Sequence, residues 1–182
     1  MEEPGDSELV RRLREGDTRA FEVLFERYRR SVLAFLTTWL GDHAMAEDVT
    51  QETFVELARR AESLDPKRSV KAWLFRVARN RAVDWLRRRR EMPMGEAVLR
   101  EVDRLPASPA DRPDAGLLAE EASARIRRWL AVLPESEREV LRLRFVADLK
   151  FREIAMVLNR PLGTVLWQTR SGLRKLRKEL ES

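Results

Sequence analysis

The 182-residue chain carries 36 Lys plus Arg against 31 Asp plus Glu, and its 43% apolar residues suffice for a buried core although 37% of the chain is charged. With no cysteine and a single histidine, disulfide frameworks, thiol nucleophiles and nearly every zinc site are excluded. No apolar run approaches the roughly 18 residues of a membrane span, and the opening MEEPGDSELVRRLREGD lacks the apolar core of a signal peptide, so a soluble cytoplasmic chain is expected.

From Asp17 to Leu40, Phe21, Leu24, Phe25, Tyr28, Val32, Phe35, Leu36 and Trp39 recur at three- and four-residue steps. That spacing predicts one long helix with a single buried stripe, Asp17 as its N-cap and Gly41 as its stop. A second helix is expected from about 44 to 61, with Asp42 near its start. The segment SLDPKRS breaks the pattern through Pro66 and offers Ser69 as the next cap. A third helix follows to about 90, with Trp73, Leu74, Val77, Ala78, Trp85 and Leu86 apolar. Three such helices can cover one another, so 17–91 reads as a compact helical domain. Residues 92–116, with Pro93, Pro106, Pro109 and Pro113, read as an extended linker. Helices are expected beyond it at about 117–132, 135–146, 150–158 and 162–180. No segment alternates as a strand would. The predicted fold is all-α: two small helical domains, 1–91 and 117–182, joined by the linker 92–116.

The charge is blocked along the chain rather than spread. Residues 1–20 carry four basic and six acidic side chains, a net of −2, and 42–56 carries Asp42, Glu47, Asp48, Glu52 and Glu56 with no Lys or Arg. The stretch 76–90 holds seven Arg against Asp84, a net of +6; 92–116 returns to −2 with three Arg and five acids. Finally 160–178 has six basic residues and no acid. Two cationic segments on either side of an acidic linker suit a phosphate backbone better than an ordinary solvated helix face does.

The segment FREIAMVLNRPLGTVLWQTRSGLRKLRKEL reads as helix, four-residue break, helix. Ile154, Ala155 and Leu158 are expected on the inner face of the first helix, and Val165, Thr169, Leu173 and Leu176 on that of the second. Pro161 suits the first turn, where its missing N–H has no intrahelical acceptor. This is the pattern of a helix-turn-helix. Its second helix turns Leu166, Trp167, Arg170, Ser171 and Arg174 outward, with Gln168 at the flank, able to reach base edges or phosphates. An ordinary helical hairpin with a basic surface leaves Leu166 and Trp167 exposed without a partner. Upstream, Asp48, Gln51, Glu52 and Glu56 share one side of a helix, a like-charged face that invites a basic partner. Arg76, Arg79, Asn80, Val83 and Arg87 form a second, mostly basic face on the following helix.

Taken together, SELVRRLREGDTRAFEVLFERY, EDVTQETF, AWLFRVARNRAVDWLRRRR, LPESEREVLRLRF and EIAMVLNRPLGTV resemble, in order and along almost the whole chain, the extracytoplasmic-function (ECF) class of bacterial RNA polymerase sigma factors. The resemblance implies a factor that binds core polymerase, directs it to specific promoters and assists their opening, with no catalysis, no cofactor, no metal and no small-molecule substrate. It implies that Asp48, Gln51, Glu52 and Phe54 face a basic coiled coil of the β′ subunit, β being a further partner. It implies that Lys67, Arg76, Arg79, Asn80 and Arg87 serve the minus-ten element, with the loop from Ser63 to Lys71 capturing a base flipped from the non-template strand. The helix-turn-helix matches the module that binds minus-thirty-five duplex, with Arg160, Thr164, Trp167, Gln168, Arg170, Ser171 and Arg174 as its candidates. The linker matches the segment threading toward the active centre and RNA exit path. Many such factors have an anti-sigma protein as a further partner. Leu166 stands where the family commonly has Lys or Arg, which removes an expected contact. A stand-alone dimeric helix-turn-helix regulator is the alternative, and it leaves the acidic helix and the DWLRRRR helix without a role. A helical enzyme using the 42–56 carboxylates fits poorly: no Gly-rich phosphate loop is present, and His43 beside Asp42 reads as a helix-start surface residue.

Overall fold

The computed structural model describes residues 4–91 and 114–181, and among the described residues every regular element is helical. A short helix, α1 (Asp6–Arg14), lies outside the three expected in the first half; it is too brief for a periodic signal, yet it buries Leu9, Val10 and Leu13. Acids fill its first turn and arginines its last, which complements the helix dipole. Asp6 accepts from Arg27 Nη1 at 2.6 Å and from the Tyr28 hydroxyl. Burial and the Asp6 carboxylate together push the Tyr28 phenol above its ordinary pKa. Ser7 donates to the Pro66 carbonyl at 2.7 Å, tying α1 to the loop at 64–69.

The long helix α2 (Thr18–Leu40) begins where Asp17 accepts from the Arg19 amide at 2.9 Å. Arg12 also donates to Asp17, at 2.8 Å, and holds that carboxyl below its usual range. The helix stops at Gly41, whose φ of 76° is left-handed and strains any residue with a Cβ. Helix α3 (His43–Arg59) is capped by Asp42 on the Met45 amide at 3.1 Å, and a 3₁₀ turn at Ala61–Ser63 ends it. Helix α4 (Val70–Glu91) is capped by Ser69, which accepts from the Ala72 amide at 3.1 Å.

The expected linker lies outside the described residues through position 113, and positions 114–116 open α5 (Asp114–Ala131). The single helix expected over 135–146 is instead α6 (Glu135–Leu141) followed by a π turn (Arg142–Val146). The Ala147 amide reaches the Arg142 carbonyl at 3.1 Å, five residues back. Next come α7 (Phe151–Leu158), ended by left-handed Asn159 at φ 50°, and α8 (Leu162–Leu180). The break between them is three residues, with Pro161 as the cap of α8 rather than inside its first turn.

The inner face of α8 differs from the expected one by a small rotation. Val165, Gln168, Thr169, Ser171 and Gly172 are buried, while Leu173 is exposed. Gly172 explains the difference: a Cβ there would lie 3.0 Å from Leu141 Cδ1, so the helix crosses α6 at a distance only glycine permits without repacking. Leu176 packs beside Leu130, Leu133 and Leu141 in a small satellite cluster.

The two halves share one apolar core. Phe35, Phe75, Leu74 and Leu36 of the first half belong to the same buried cluster as Val140, Leu143, Leu149, Ile154 and Val157 of the second. Arg142 lies over the Trp39 ring at 5.1 Å, and Arg127 Nη1 donates to the Thr37 carbonyl at 3.0 Å. Burial lowers the Arg142 guanidinium to about 10, with Glu135 opposing that shift.

Candidate nucleic-acid and polymerase interface

On α3 the residues Asp48, Gln51 and Glu52 are exposed, as is Val55, seven positions after Asp48 and in the same helical phase. Phe54 is not on this face. It is 2% exposed, packed edge-on to Phe25 at 4.8 Å and to Phe21 at 6.5 Å, because its phase is that of buried Thr50, Thr53 and Leu57. The surface expected of Phe54 falls to Val55, which the spacing 48, 51, 52, 55 already indicates. Part of the acidic charge is balanced within the chain. Arg81 Nη1 donates to Glu52 at 2.6 Å, and Arg60 Nε donates to Glu56 at 2.9 Å. The Arg60 hydrogen bond holds the Glu56 carboxyl below its ordinary value, against a smaller opposing effect of desolvation. His43 sits 3.4 Å from Glu47 at the start of the helix.

A cleft of about 760 Å³ opens between the loop before α4 and the outer side of α4 itself. Ser63, Asp65, Arg68 and Ser69 line it from the loop; Trp73, Arg76 and Asn80 line it from the helix, and Arg60 closes one side. The loop is held in shape by the Lys67 amide donating to Asp65 at 2.9 Å and by its attachment to Ser7. Lys67 is exposed on the loop, while exposed Arg87 pairs with Asp84 at 3.4 Å, further along α4. A cavity with an indole, cationic side chains and an amide offers a stacking surface and hydrogen bonds to a nucleobase with phosphate contacts around it. The site residues named from the sequence do not include Arg60, at the end of the helix expected over 44–61, or Arg68, which lies within the 63–71 loop expected to capture a base.

Arg79 is drawn away from this group. Its Nη2 and Nε donate to Glu139 of α6 at 2.6 and 3.0 Å, and its Nη1 reaches Asn80 at 3.2 Å. The other Glu139 oxygen accepts from Arg160 Nη2 at 2.6 Å. Glu139 was absent from the sequence candidates, although a carboxylate at the phase of Leu143 and Val146 marks a buried charge in need of cations.

On α8, Trp167 is 62% exposed, and Arg170 and Arg174 are exposed on the same side, with Thr164 half-buried at the head of the helix. Leu166 is also exposed. Ser171 faces inward instead of outward and Gln168 is buried instead of lying at the flank, for the rotation that Gly172 permits; Gln168 accepts from Arg160 at 3.3 Å. Arg160 also donates to the Ser136 carbonyl at 3.2 Å, so it braces the turn from inside. The outward set on α8 is therefore Thr164, Leu166, Trp167, Arg170 and Arg174. Among the described residues no group of three or more His, Asp or Glu side chains is placed to hold a metal ion, and no helix is long and apolar enough to cross a membrane.

Residues 24–92 match the family model for sigma-70 region 2, and residues 129–178 match that for sigma-70 region 4. The chain is 34% identical over 174 residues to the ECF RNA polymerase sigma factor RpoE of Cereibacter sphaeroides, covering 94% of this chain and 93% of the relative. Its fold is similar to that of CnrH, solved in complex with the cytosolic domain of CnrY, at a TM-score of 0.73 and 24% identity over 97% of each chain. It is also similar to the sigma factor RpoE of Bartonella quintana, solved with the anti-sigma factor NepR, at a TM-score of 0.64 and 19% identity over 88% of this chain and 96% of that one. An acidic helix, a cleft lined by Trp73 and three arginines, and a helix-turn-helix in this order, matched by both region models and by a relative along nearly the full length, place the chain in the ECF family of RNA polymerase sigma factors.

Proposed function

We propose that the chain binds core RNA polymerase, directs it to specific promoters and assists their opening in the cytoplasm, with no catalytic step of its own. The observation that carries the reading is the cleft of about 760 Å³ into which the loop at 63–69 and the outer side of α4 converge, since a flipped base needs a pocket and the strand beside it needs cations. Asp48, Gln51, Glu52 and Val55 present the surface for a basic polymerase element. Arg76, Asn80, Lys67 and Arg87 serve the opened minus-ten strand, joined by Arg79 once it leaves Glu139. Thr164, Trp167, Arg170 and Arg174 serve the minus-thirty-five duplex. Leu166 supplies an apolar contact there, suited to a thymine methyl, where a cation is the family norm. The linker threads toward the polymerase active centre. An anti-sigma protein is the further partner to look for, because the sigma factor from Bartonella quintana with this fold was solved bound to one.

The test is reconstitution. Purified chain added to core polymerase should confer transcription from a subset of promoters, and Asp48→Arg should remove core co-purification while leaving the helical circular dichroism unchanged. A polymerase that gains no promoter selectivity, or full co-purification of Asp48→Arg, overturns the corresponding assignment.

A further inference from the structure

Glu139 joins the two halves through Arg79, which the first half is proposed to use on DNA, and Arg160, which braces the turn of the helix-turn-helix. Its side chain is 5% exposed, and its two oxygens are divided between Arg79 of α4 and Arg160 of the helix-turn-helix turn. Neighbouring contacts run along the same seam. Ser69, in the loop that lines the cleft, donates to Glu153 of α7 at 2.6 Å, and Lys71 donates to the Asp148 carbonyl at 2.7 Å. A second crevice of about 280 Å³ shares Arg68, Ser69, Trp73 and Arg76 with the main cleft and is bounded on its far side by Met156 of α7 and by Asn159, the residue that ends it. The C-terminal half therefore stands against the rim of the cleft.

We propose that this arrangement is an autoinhibited state of the free chain, latched by Glu139, in which the helix-turn-helix half occupies the approach to the promoter-strand cleft and the Glu139 carboxylate, held by Arg160 within its own half, neutralises Arg79, a cation proposed for the promoter strand. The DNA-masking part rests on the functional reading above; the latch itself does not. Two oxygens of a tetrahedral phosphate accept from the planar guanidinium fork as the two oxygens of a carboxylate do, so nucleic acid and Glu139 compete for Arg79. When the halves part, Glu139 becomes hydrated rather than stranded in the interior, which keeps the closed state from being a trap. Linkage makes the effect reciprocal: whatever holds the halves apart, including the polymerase surface, raises affinity for the promoter strand by the same factor by which the strand favours the open form.

Because the chain contains no cysteine, a dye pair can be attached at Arg59→Cys on α3 and Lys178→Cys on α8, both at exposed positions, in the full-length protein. Energy transfer should fall in Glu139→Gln and in Arg79→Gln. It should also fall in the unsubstituted pair when salt rises from about 50 to about 500 mM, with the double variant no more open than either single one. Arg79→Gln leaves Glu139 bonded to Arg160 within its own half, so it reads the latch even where Glu139→Gln weakens that half. Glu139→Gln should bind a short single-stranded DNA of mixed sequence about tenfold more tightly, as expected for releasing a charged hydrogen bond. Unchanged transfer in both variants, with native circular dichroism, overturns the latch; a fall in transfer with no gain in DNA affinity overturns the masking. Promoter selectivity measured with core polymerase tests the DNA-binding reading separately, since it does not depend on the state of the free chain.

Discussion

Phe54→Ala separates a core role from an interface role at the place where the acidic helix meets the rest of the first half. The ring is 2% exposed and held edge-on by Phe25 at 4.8 Å and by Phe21 at 6.5 Å. Removing it deletes a buried aromatic and leaves a cavity that α2 and α3 close only in part, a cost of about 3–5 kcal/mol. For a chain of this size each kcal/mol lowers the melting temperature by roughly 2–4 °C, so a fall of about 6–20 °C is expected. Phe54→Leu keeps most of the volume and should cost about 1.5 kcal/mol or less. Melting followed by circular dichroism, with core polymerase binding measured on the folded protein at low temperature, completes the test. Both variants should bind polymerase nearly as well as the parent while they remain folded. A melting temperature within about 2 °C of the parent, combined with lost polymerase binding, would place Phe54 on the interface and refute the core assignment.

Gly172→Leu should destabilise the C-terminal half by at least about 1–3 kcal/mol, because even a Cβ meets Leu141 Cδ1 at 3.0 Å; an unchanged urea midpoint would show that α6 and α8 can separate freely. Arg174→Ala should make the log–log salt dependence of duplex binding shallower by about one unit if the side chain neutralises one phosphate, and an identical slope takes it off the backbone. The depressed Glu56 carboxyl, held by Arg60, contributes stability that is present above its ordinary value of 4.5 and is lost as pH falls through its lower folded value. Arg60→Ala should therefore differ most from the parent above pH 4.5 and converge with it in urea midpoints as pH falls through that lowered value; a constant gap would assign Arg60 a role unrelated to that carboxylate.

Much of this architecture is legible from periodicity and caps. Asp17, Asp42 and Ser69 each accept the amide hydrogen bond that their position before an apolar stripe suggests, and both region models lie where the motifs do. The errors are errors of helical phase. Phe54 sits beside acidic residues in the chain but a large rotation away from them on the helix, and the exposed partner in their phase is the less conspicuous Val55. Leu173 is larger than Gly172 and attracts the core assignment, yet the closeness of α6 gives the buried position to the residue without a side chain. Neither the π turn nor the destination of Glu139 has a local signature. The first is an extra residue in an otherwise regular helix, and the second pairs residues 60 positions apart.

The apolar cluster running from Phe35 and Phe75 through Val140, Leu143 and Ile154 gives the seam between the halves a thermal character that ion pairs lack. Parting the halves exposes nonpolar surface to water, so opening carries a positive heat-capacity change, and the apolar share of the closed state weakens on cooling. Charge screening and temperature thus act on different components of the same seam. The balance between closed and open forms therefore curves with temperature in a way that salt does not reproduce, with no change in sequence, ligand or modification.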